Sequence, residues 1–122
     1  RLLEELAEFW AGALAADAAG SPNYTIVRHE FTDRELAFVK MLAQKLSKQS
    51  GIVALLGTTF GQPTIVLSRS QDLDIDVSAL LKEALAAVSG RGGGTKDLAQ
   101  GGVPEAAMVH TLLDRIAARL SG

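Results

Sequence analysis

A glycine-rich segment at residues 89–102, SGRGGGTKDLAQGG, constrains the fold of this chain more than any other feature. It holds six of the 12 glycines, three of them in a row. Glycine loses more backbone freedom on folding than any other residue, so such a run needs a compensating reason. One reason is anion binding, in which backbone N–H groups form a concave nest and Arg91 or Lys96 adds charge. The other is a tight connection between a helix and a strand, and the residues alone favour this second reason.

The segment lacks the two common nucleotide-binding motifs. A Walker loop ends in Gly-Lys followed by Ser or Thr, and that ending is missing here. A dinucleotide fingerprint needs glycines that follow a strand and open a helix, whereas these glycines follow a predicted helix. The segment therefore does not predict a nucleotide cofactor.

The first half of the chain alternates helical and extended patterns. Residues 1–19 repeat apolar side chains at spacings of three and four, which predicts an amphipathic helix. Residues 24–31 predict a strand with a β-branched centre. Thr32 and Glu35 then form a capping-box pattern, which opens a helix that ends near residues 50–51.

The second half predicts a hairpin followed by two helices. Residues 52–59 are a continuous apolar run typical of a buried strand, and residues 64–70 supply its hairpin partner. Asp76 predicts the N-cap of the next helix, and Gly90 the cap at its C-terminal end. After a short extended piece, Pro104 falls in the first turn of a last helix.

This order of helices and strands predicts an α/β domain with a mixed sheet of about four to five strands covered by helices. We divide the chain into an N-terminal amphipathic lead-in helix at residues 1–20 and a globular domain at residues 21–122. A chain of 122 residues has room for one domain. Because the sequence opens on Arg1 rather than on Met, we expect it to be a piece of a longer protein.

The absence of cysteine excludes disulfides, thiolate zinc sites and cysteine nucleophiles. Hydrophobic residues make up 48% of the chain and aromatic residues only 5%, so the core must consist of Leu, Val, Ile and Ala. No stretch is long and apolar enough to span a membrane, and no signal-peptide pattern is present. These features predict a cytoplasmic protein without a membrane partner.

The net charge of −2 argues against strong autonomous binding of nucleic acid. The charges are unevenly spread, however, and basic residues predominate between residues 34 and 69. This stretch offers a modest basic face, although scattered lysines more often cover a solvated helix face. The residues of this stretch that we retain as weaker candidates for RNA contact are Lys45, Lys48 and Arg69.

No group of residues predicts a catalytic or metal site. A catalytic zinc needs about three protein ligands, and the chain offers only His29 and His110, without the spacing of paired ligands. We assign both histidines to surface or packing roles. Asp72, Asp74 and Asp76 alternate before a helix, and this pattern favours capping and a solvated turn over a cation site.

The glycine motif resembles that of a known family. The pattern G-R-G-G-G, four residues, then A-Q-G-G is similar to the motif of the DHH-associated domain. That domain occurs as the C-Ala domain of alanyl-tRNA synthetases and in long AlaX-type alanyl-tRNA editing proteins, and the similarity covers residues 24–120. The family often has glycine in place of Ser89 and Val103. The related phosphoesterase branch has histidine where this chain has Thr95, so the resemblance favours the alanyl-tRNA branch.

This resemblance implies a non-catalytic accessory domain that binds alanine tRNA at its outer corner, supports a homodimer, or does both. The parent protein would be an alanine–tRNA ligase or an editing hydrolase, and its catalytic or editing domain would be another partner. No cofactor is expected in this fragment, whereas the parent would hold zinc, or ATP with magnesium. The candidate contact residues are Arg91, Gly92, Gly93, Gly94, Lys96 and Gln100.

Two alternatives remain open. The apolar N-terminal helix, with Phe9 and Trp10, fits a purely structural or dimerisation domain without RNA contact. The other alternative is the substrate-binding lobe of a DHH-type phosphoesterase, which Thr95 disfavours.

Overall fold

The computed structural model describes residues 2–17, 19–20 and 24–121, which form one mixed sheet of six strands with four helices. The elements are α1 (Leu2–Asp17), β1 (Ala19–Gly20), β2 (Thr25–Phe31), α2 (Leu36–Leu46), β3 (Ile52–Thr58), β4 (Thr64–Arg69), α3 (Val77–Ala86), β5 (Arg91–Gly94), β6 (Leu98–Gly102) and α4 (Ala107–Ser121). The strand order is β1-β2-β3-β4-β6-β5. Strands β2 and β3 are parallel, and the other pairs are antiparallel. The predicted α/β fold with a mixed sheet is confirmed.

The centre of the sheet is built from the predicted apolar hairpin. All seven residues of β3 and all six residues of β4 are buried. Such continuous burial needs helices on both faces of the strands, and it explains why these segments do not alternate between apolar and polar residues. Helix α2 provides the crossover that the parallel pair β2–β3 requires.

Alternate residues of β3 point into two separate cores. Val53 and Leu55 belong to the core under α3 and α4. Ala54 and Leu56 belong to the core under α1 and α2. Because side chains alternate across a strand, the sheet is the middle one of three layers.

Helix α1 contributes to the core that it covers. Ala7 and Ala11 are buried, and the ring of Trp10 meets the ring of Phe31 edge-on, with centroids 5.2 Å apart. The predicted globular domain begins at residue 21, which lies outside the described residues, so that boundary stays a prediction. None of the helices in the described ranges is long and apolar enough to cross a membrane.

The predicted helix starts have mixed outcomes. The N-cap at Asp76 is confirmed, because its Oδ1 accepts a hydrogen bond from the Ala79 N–H at 3.1 Å. The capping box of Thr32 and Glu35 is wrong: Glu35 is itself the N-cap of α2, and its side chain makes no cap hydrogen bond. The last helix begins three residues after Pro104, which therefore lies in the preceding turn rather than in the first helical turn.

The C-terminal end of α3 turns at Ser89 rather than at the predicted Gly90. Ser89 has a φ of 59° and is the one non-glycine residue with positive φ in the described part of the chain. The Gly90 N–H then donates to the Leu85 carbonyl at 3.2 Å, which closes the last turn. The left-handed position that favours glycine is therefore occupied by a serine.

Replacing Ser89 with glycine should raise the free energy of unfolding by about 0.5–1 kcal/mol. A Cβ atom is strained in the left-handed region, and glycine removes that strain. Ser89→Ala keeps the Cβ atom and serves as the control, which should show no gain. Urea denaturation of both variants measures the effect, and an unchanged or lower value for Ser89→Gly would contradict it.

Candidate nucleic-acid interface

Hairpin β5–β6 forms one end of the sheet and carries the glycine-rich segment. Gly92 pairs with Gly101, and Gly93 pairs with Gln100. The glycines predicted to connect a helix to a strand are therefore a strand themselves. Because residues alternate across a strand, Gly92 and Gly101 face α3, whereas Gly93 and Gln100 face the opposite side of the sheet.

The α3 side of the hairpin needs glycine because Leu85 packs directly against it. A Cβ atom on Gly101 would lie 2.6 Å from Leu85 Cδ1, and one on Gly90 would lie 2.6 Å from Leu85 Cδ2. A Cβ atom on Gly92 would lie 2.5 Å from the Gly101 Cα atom and 3.0 Å from Leu85 Cδ1. These glycines allow the helix to approach the strands closely, so their role is structural.

Gly93 has no such reason to be glycine. A Cβ atom there would meet no atom of the described residues within 4 Å, and the φ of Gly93 is not positive. Its neighbours on the same side of the hairpin are Arg91, Gln100 and Gly102. Helix α2 packs on β3 and β4 on that side. We call these four residues, Arg91, Gly93, Gln100 and Gly102, the open sheet face.

The strand conformation excludes the anion nest that the three glycines suggested. A nest needs successive N–H groups that converge on one point. Successive peptide groups of a strand point to opposite edges instead. Anion binding by this segment therefore depends on side chains, above all on Arg91.

Arg91 lies in a shallow cleft beside the open sheet face. The residues that line this cleft are Gln62, Ser89, Arg91, Gly102, Val103 and Pro104. Arg91 is exposed, and its side chain makes no hydrogen bond or ion pair with any other described residue. Gln62 is fixed at the edge of the cleft because its Nε2 donates to the Val103 carbonyl at 2.9 Å. The cleft thus offers a guanidinium group next to glycine backbone.

The turn between β5 and β6 exposes both Lys96 and Thr95, and hydrogen bonds within the turn hold Thr95. The Lys96 carbonyl accepts a hydrogen bond from the Val77 N–H at 2.9 Å, and the Lys96 side chain is exposed. The Thr95 hydroxyl donates to the Asp97 carboxylate, and the Thr95 N–H donates to the Leu98 carbonyl at 2.9 Å. The Thr95 hydroxyl and N–H are therefore both used in hydrogen bonds within the turn.

Arg69 lies in the interior of the domain rather than on a basic face. It is 9% exposed, and its Nε donates to the Ile75 carbonyl at 2.6 Å. Its Nη1 donates to the Ser70 carbonyl at 3.1 Å. Arg69 thus holds the loop between β4 and α3, and we do not retain it as an RNA contact.

Lys45 and Lys48 lie on α2 and just beyond its C-terminus, away from the hairpin. Lys45 Nζ is 2.9 Å from Glu8 Oε1 on α1, so its charge is offset by an ion pair. The hydrogen bond and the charge of Lys45 lower the pKa of Glu8. Lys48 is exposed and shares a polar cleft with Asp72. The structure therefore places Arg91 and Gln100 on the same face of the β5–β6 hairpin, and it places Lys45 and Lys48 at the C-terminal end of α2.

Asp72 connects the turn before β3 to the loop after β4. The Ser50 hydroxyl donates to Asp72 Oδ2 at 2.7 Å, and the Gly51 N–H donates to the same atom at 3.2 Å. The Ser70 hydroxyl, the Ser50 hydroxyl and the Gly51 N–H lower the pKa of Asp72 to about 2. The negative charge of Asp72 also disfavours anion binding in the cleft that it shares with Lys48.

Acidification should weaken the fold through Asp72. The folded-state pKa of about 2 lies below that of an unfolded aspartate, so the ionised group stabilises the fold above about pH 4. This contribution is lost as the pH falls through the folded-state value. Asp72→Asn should therefore lose less stability than the unchanged chain between about pH 4 and pH 2 in urea unfolding. Asp74→Asn is the control, and parallel curves for Asp72→Asn and the unchanged chain would contradict this assignment.

The two histidines take packing and surface roles, as predicted. The His29 ring packs against the rings of both Trp10 and Phe31, at centroid distances of 5.3 and 4.5 Å. His110 is exposed, and its Nδ1 lies 2.8 Å from Glu30 Oε2. No group of three or more His, Cys, Asp or Glu residues in the described ranges is arranged to hold a metal ion.

Sequence reasoning missed Gln62 and Gly102 as parts of this surface. Gly102 belongs to the motif, and it follows Gln100 by two residues, so strand alternation places both on one side. Gln62 lies in the β3–β4 turn, and no sequence signal connects it to the glycine segment.

Comparisons with known proteins agree with this architecture. The DHHA1 domain family matches residues 22–122. The alanine–tRNA ligase of Caulobacter sp. (strain K31) is 37% identical over 109 residues, which are 87% of this chain and 12% of the ligase. The alanine–tRNA ligase of Paramagnetospirillum magneticum is 32% identical over 132 residues, which span 100% of this chain and 15% of the ligase. The chain therefore belongs to the DHHA1 domain family, and it spans a small part of the length of these ligases.

Solved structures show the same fold. The C-Ala domain of Aquifex aeolicus alanyl-tRNA synthetase superposes with a TM-score of 0.68 at 25% identity, covering 86% of this chain and 98% of that domain. A DHH-domain protein from a family of ribosomal proteins superposes with a TM-score of 0.63 at 14% identity. That match covers 95% of this chain and 30% of the other, and it shows the fold alone. The family resemblance predicted from the glycine motif is confirmed.

Proposed function

We propose that this chain is an appended, non-catalytic domain of an alanine–tRNA ligase that binds alanine tRNA through the open sheet face. The relatives named above are ligases, which favours a ligase over an editing hydrolase as the parent. The near-complete match to a C-Ala domain supports the appended position. A cytoplasmic location, and ATP with magnesium or zinc held by other domains of the parent, belong to the same proposal.

The observation that carries this proposal is the room around Gly93. Nothing in the described chain requires a glycine there, since a Cβ atom would meet no other atom within 4 Å. A glycine whose Cβ position faces empty space leaves the backbone accessible to an external surface. A ribose or an exposed base pair is flat enough to lie against such a face, and Arg91 can reach a phosphate beside it.

The charges fit a module of modest affinity. The net charge is −2, so Arg91 and Lys96 act locally against an acidic background. Contacts to phosphate and sugar position a nucleic acid without reading its sequence, so identity would be read elsewhere in the parent. A weak contact suffices when the domain is linked to another tRNA-binding site, because linkage raises the effective concentration.

A second candidate function is self-association through β5. This strand is at the end of the sheet. The hydrogen bond from the Thr95 N–H to the Leu98 carbonyl shows which residues of β5 direct their N–H and C=O groups toward β6. By alternation, the N–H and C=O groups of Gly92 and Gly94 point to the open edge. The same strand of a second copy could pair there in antiparallel fashion, and sedimentation of the domain alone decides whether it does.

Placing a side chain on Gly93 should weaken tRNA binding without unfolding the domain. Gly93→Leu should weaken binding of alanine tRNA by about tenfold or more, because the side chain keeps the RNA away from the backbone. Its free energy of unfolding should change by no more than about 0.5 kcal/mol. Fluorescence anisotropy with labelled tRNA measures the affinity. Gly12→Leu, at the other glycine with open space and ordinary φ, is the matched control.

The charged residues provide an independent arm of this test. The double variant replaces both Arg91 and Lys96 with alanine. The slope of the logarithm of the tRNA binding constant against the logarithm of salt concentration should become less negative by about one for each phosphate that the domain no longer neutralises. Lys82→Ala, on the exposed side of α3, should leave the slope unchanged. Unchanged affinity in Gly93→Leu and in the double variant would refute the proposed interface.

A further inference from the structure

The cleft that holds Arg91 is built around a glycine that packing does not require. A Cβ atom on Gly102 would lie 3.6 Å from Gln62 Nε2 and 3.8 Å from the Pro63 carbonyl oxygen, which are ordinary contact distances. Gly102 also lacks the positive φ that would call for glycine. The fold therefore accepts a side chain at this position, and the glycine keeps the floor of the cleft open.

Gln62 and Arg91 lie on either side of this floor. Arg91 is paired directly with Gly102 across the hairpin, so their Cβ positions point to the same side of the sheet, about 5 Å apart. The Gln62 amide reaches the Gly102 position from the other direction, because Gln62 precedes β4 and Thr64 of β4 is the second partner of Gly102. A ligand that rests on Gly102 therefore meets the amide and the guanidinium group together.

The Gln62 amide is fixed by its nitrogen, which leaves its oxygen available. A carbonyl oxygen can only accept a hydrogen bond, so the atom that meets the Val103 carbonyl at 2.9 Å must be the Nε2 donor. Gln62 Oε1 then has no donor among the residues that the structure describes. The turn is held as well, because the Val103 N–H donates to the Pro63 carbonyl at 3.0 Å. Gln62 thus provides a positioned acceptor.

Ser89 adds a hydroxyl group to the same cleft and carries backbone strain. It is exposed, and its φ of 59° lies in the region that favours glycine. Its hydroxyl has no hydrogen-bond partner in the described part of the chain. A strained residue whose side chain makes no contact of its own indicates a role in binding. The cleft therefore holds two donors, Ser89 and Arg91, and one acceptor, Gln62.

This set of groups matches the sugar–phosphate backbone of RNA. Arg91 and the Ser89 hydroxyl are donors for a phosphate, whereas Gln62 Oε1 requires a donor from the ligand. The 2′-hydroxyl is the one donor of an RNA backbone, and a DNA backbone has none. Within a ribonucleotide the 2′-hydroxyl is next to the 3′-phosphate, so a single unit can reach both sides of the Gly102 floor. The cleft has a volume of about 270 Å³, which leaves room for such a unit.

We infer that this cleft binds one ribose 3′-phosphate unit of an RNA strand. Gln62 Oε1 accepts a hydrogen bond from the 2′-hydroxyl, and Arg91 and Ser89 bind the phosphate. Gln62 is then the residue that distinguishes RNA from DNA. The inference rests on the proposed function, because it names the part of the RNA that meets the edge of the open sheet face. It adds Gln62 and Ser89 to that interface.

Two nucleotides test the inference on the 122-residue chain. Cytidine 3′-monophosphate and its 2′-deoxy form differ only in the 2′-hydroxyl. In NMR titrations up to about 20 mM, the Gly102 amide and the Gln62 side-chain amide should shift, and the ribonucleotide should bind about threefold to tenfold more tightly. Gln62→Met should lower the ribonucleotide affinity to that of the deoxy form. Gln44→Met, at an exposed glutamine of α2 that does not line the cleft, is the matched control.

Two further variants test the phosphate contact and the floor of the cleft. Ser89→Ala should weaken the binding of both nucleotides by the same factor, about threefold or more, because the phosphate is common to both. Gly102→Ala should weaken both by about tenfold or more, because its methyl group would occupy the floor. Both variants should unfold at the same urea concentration as the unchanged chain, so that weaker binding is not a result of unfolding.

Alanine tRNA then tests whether the cleft serves an RNA strand. The tRNA should displace cytidine 3′-monophosphate, as read from the Gly102 amide signal. Equal affinities for the two nucleotides, or no shift at about 20 mM, would overturn the inference, even if Gly93→Leu weakens tRNA binding and thereby upholds the proposed function. A preference for the ribonucleotide that tRNA does not disturb would overturn the assignment to RNA and would leave a free ribose phosphate as the ligand.

Discussion

The close packing of Leu85 against the glycines of the β5–β6 hairpin sets the shape of this end of the domain. A Cβ atom on Gly90 or Gly101 would collide with the Leu85 side chain at 2.6 Å, and one on Gly92 would collide with the Gly101 Cα atom at 2.5 Å and lie 3.0 Å from Leu85. Helix α3 can therefore cover one side of a hairpin that has almost no side chains of its own. That contact supports the hairpin on the α3 side, and on the other side a Cβ atom at Gly93 would meet no described atom within 4 Å.

The β5–β6 hairpin and the α1 side of the domain expose different kinds of groups. At β5 and β6, the half-buried glycine backbone of the open sheet face lies near the exposed side chains of Arg91 and Lys96, which suits a flat polyanion with an accessible sugar and base surface. On the α1 side, leucine and phenylalanine side chains are exposed instead.

The parts of the fold that follow local rules could be predicted from the sequence. The apolar runs that became β3 and β4, and the N-cap at Asp76, were evident because burial and capping leave short-range signals. Strand β5 could not be predicted, because glycine has little preference for strands. The segment Arg91–Gly94 is a strand because it pairs with β6. The interior position of Arg69 was equally hidden, because its partners are carbonyl groups of the loop that it holds.

Within the candidate site, the motif identified the right segment but could not separate its glycines by role. That separation depends on which side of a strand each glycine occupies and on what packs there. The most direct measurement is an NMR titration of the 15N-labelled chain with alanine tRNA. We predict that the amide signals of Gly93, Gln100 and Gly102 shift at the lowest RNA ratios, while those of α1 do not. Shifts confined to α1 or α4, or no shifts in β5 and β6 at saturating tRNA, would contradict the account.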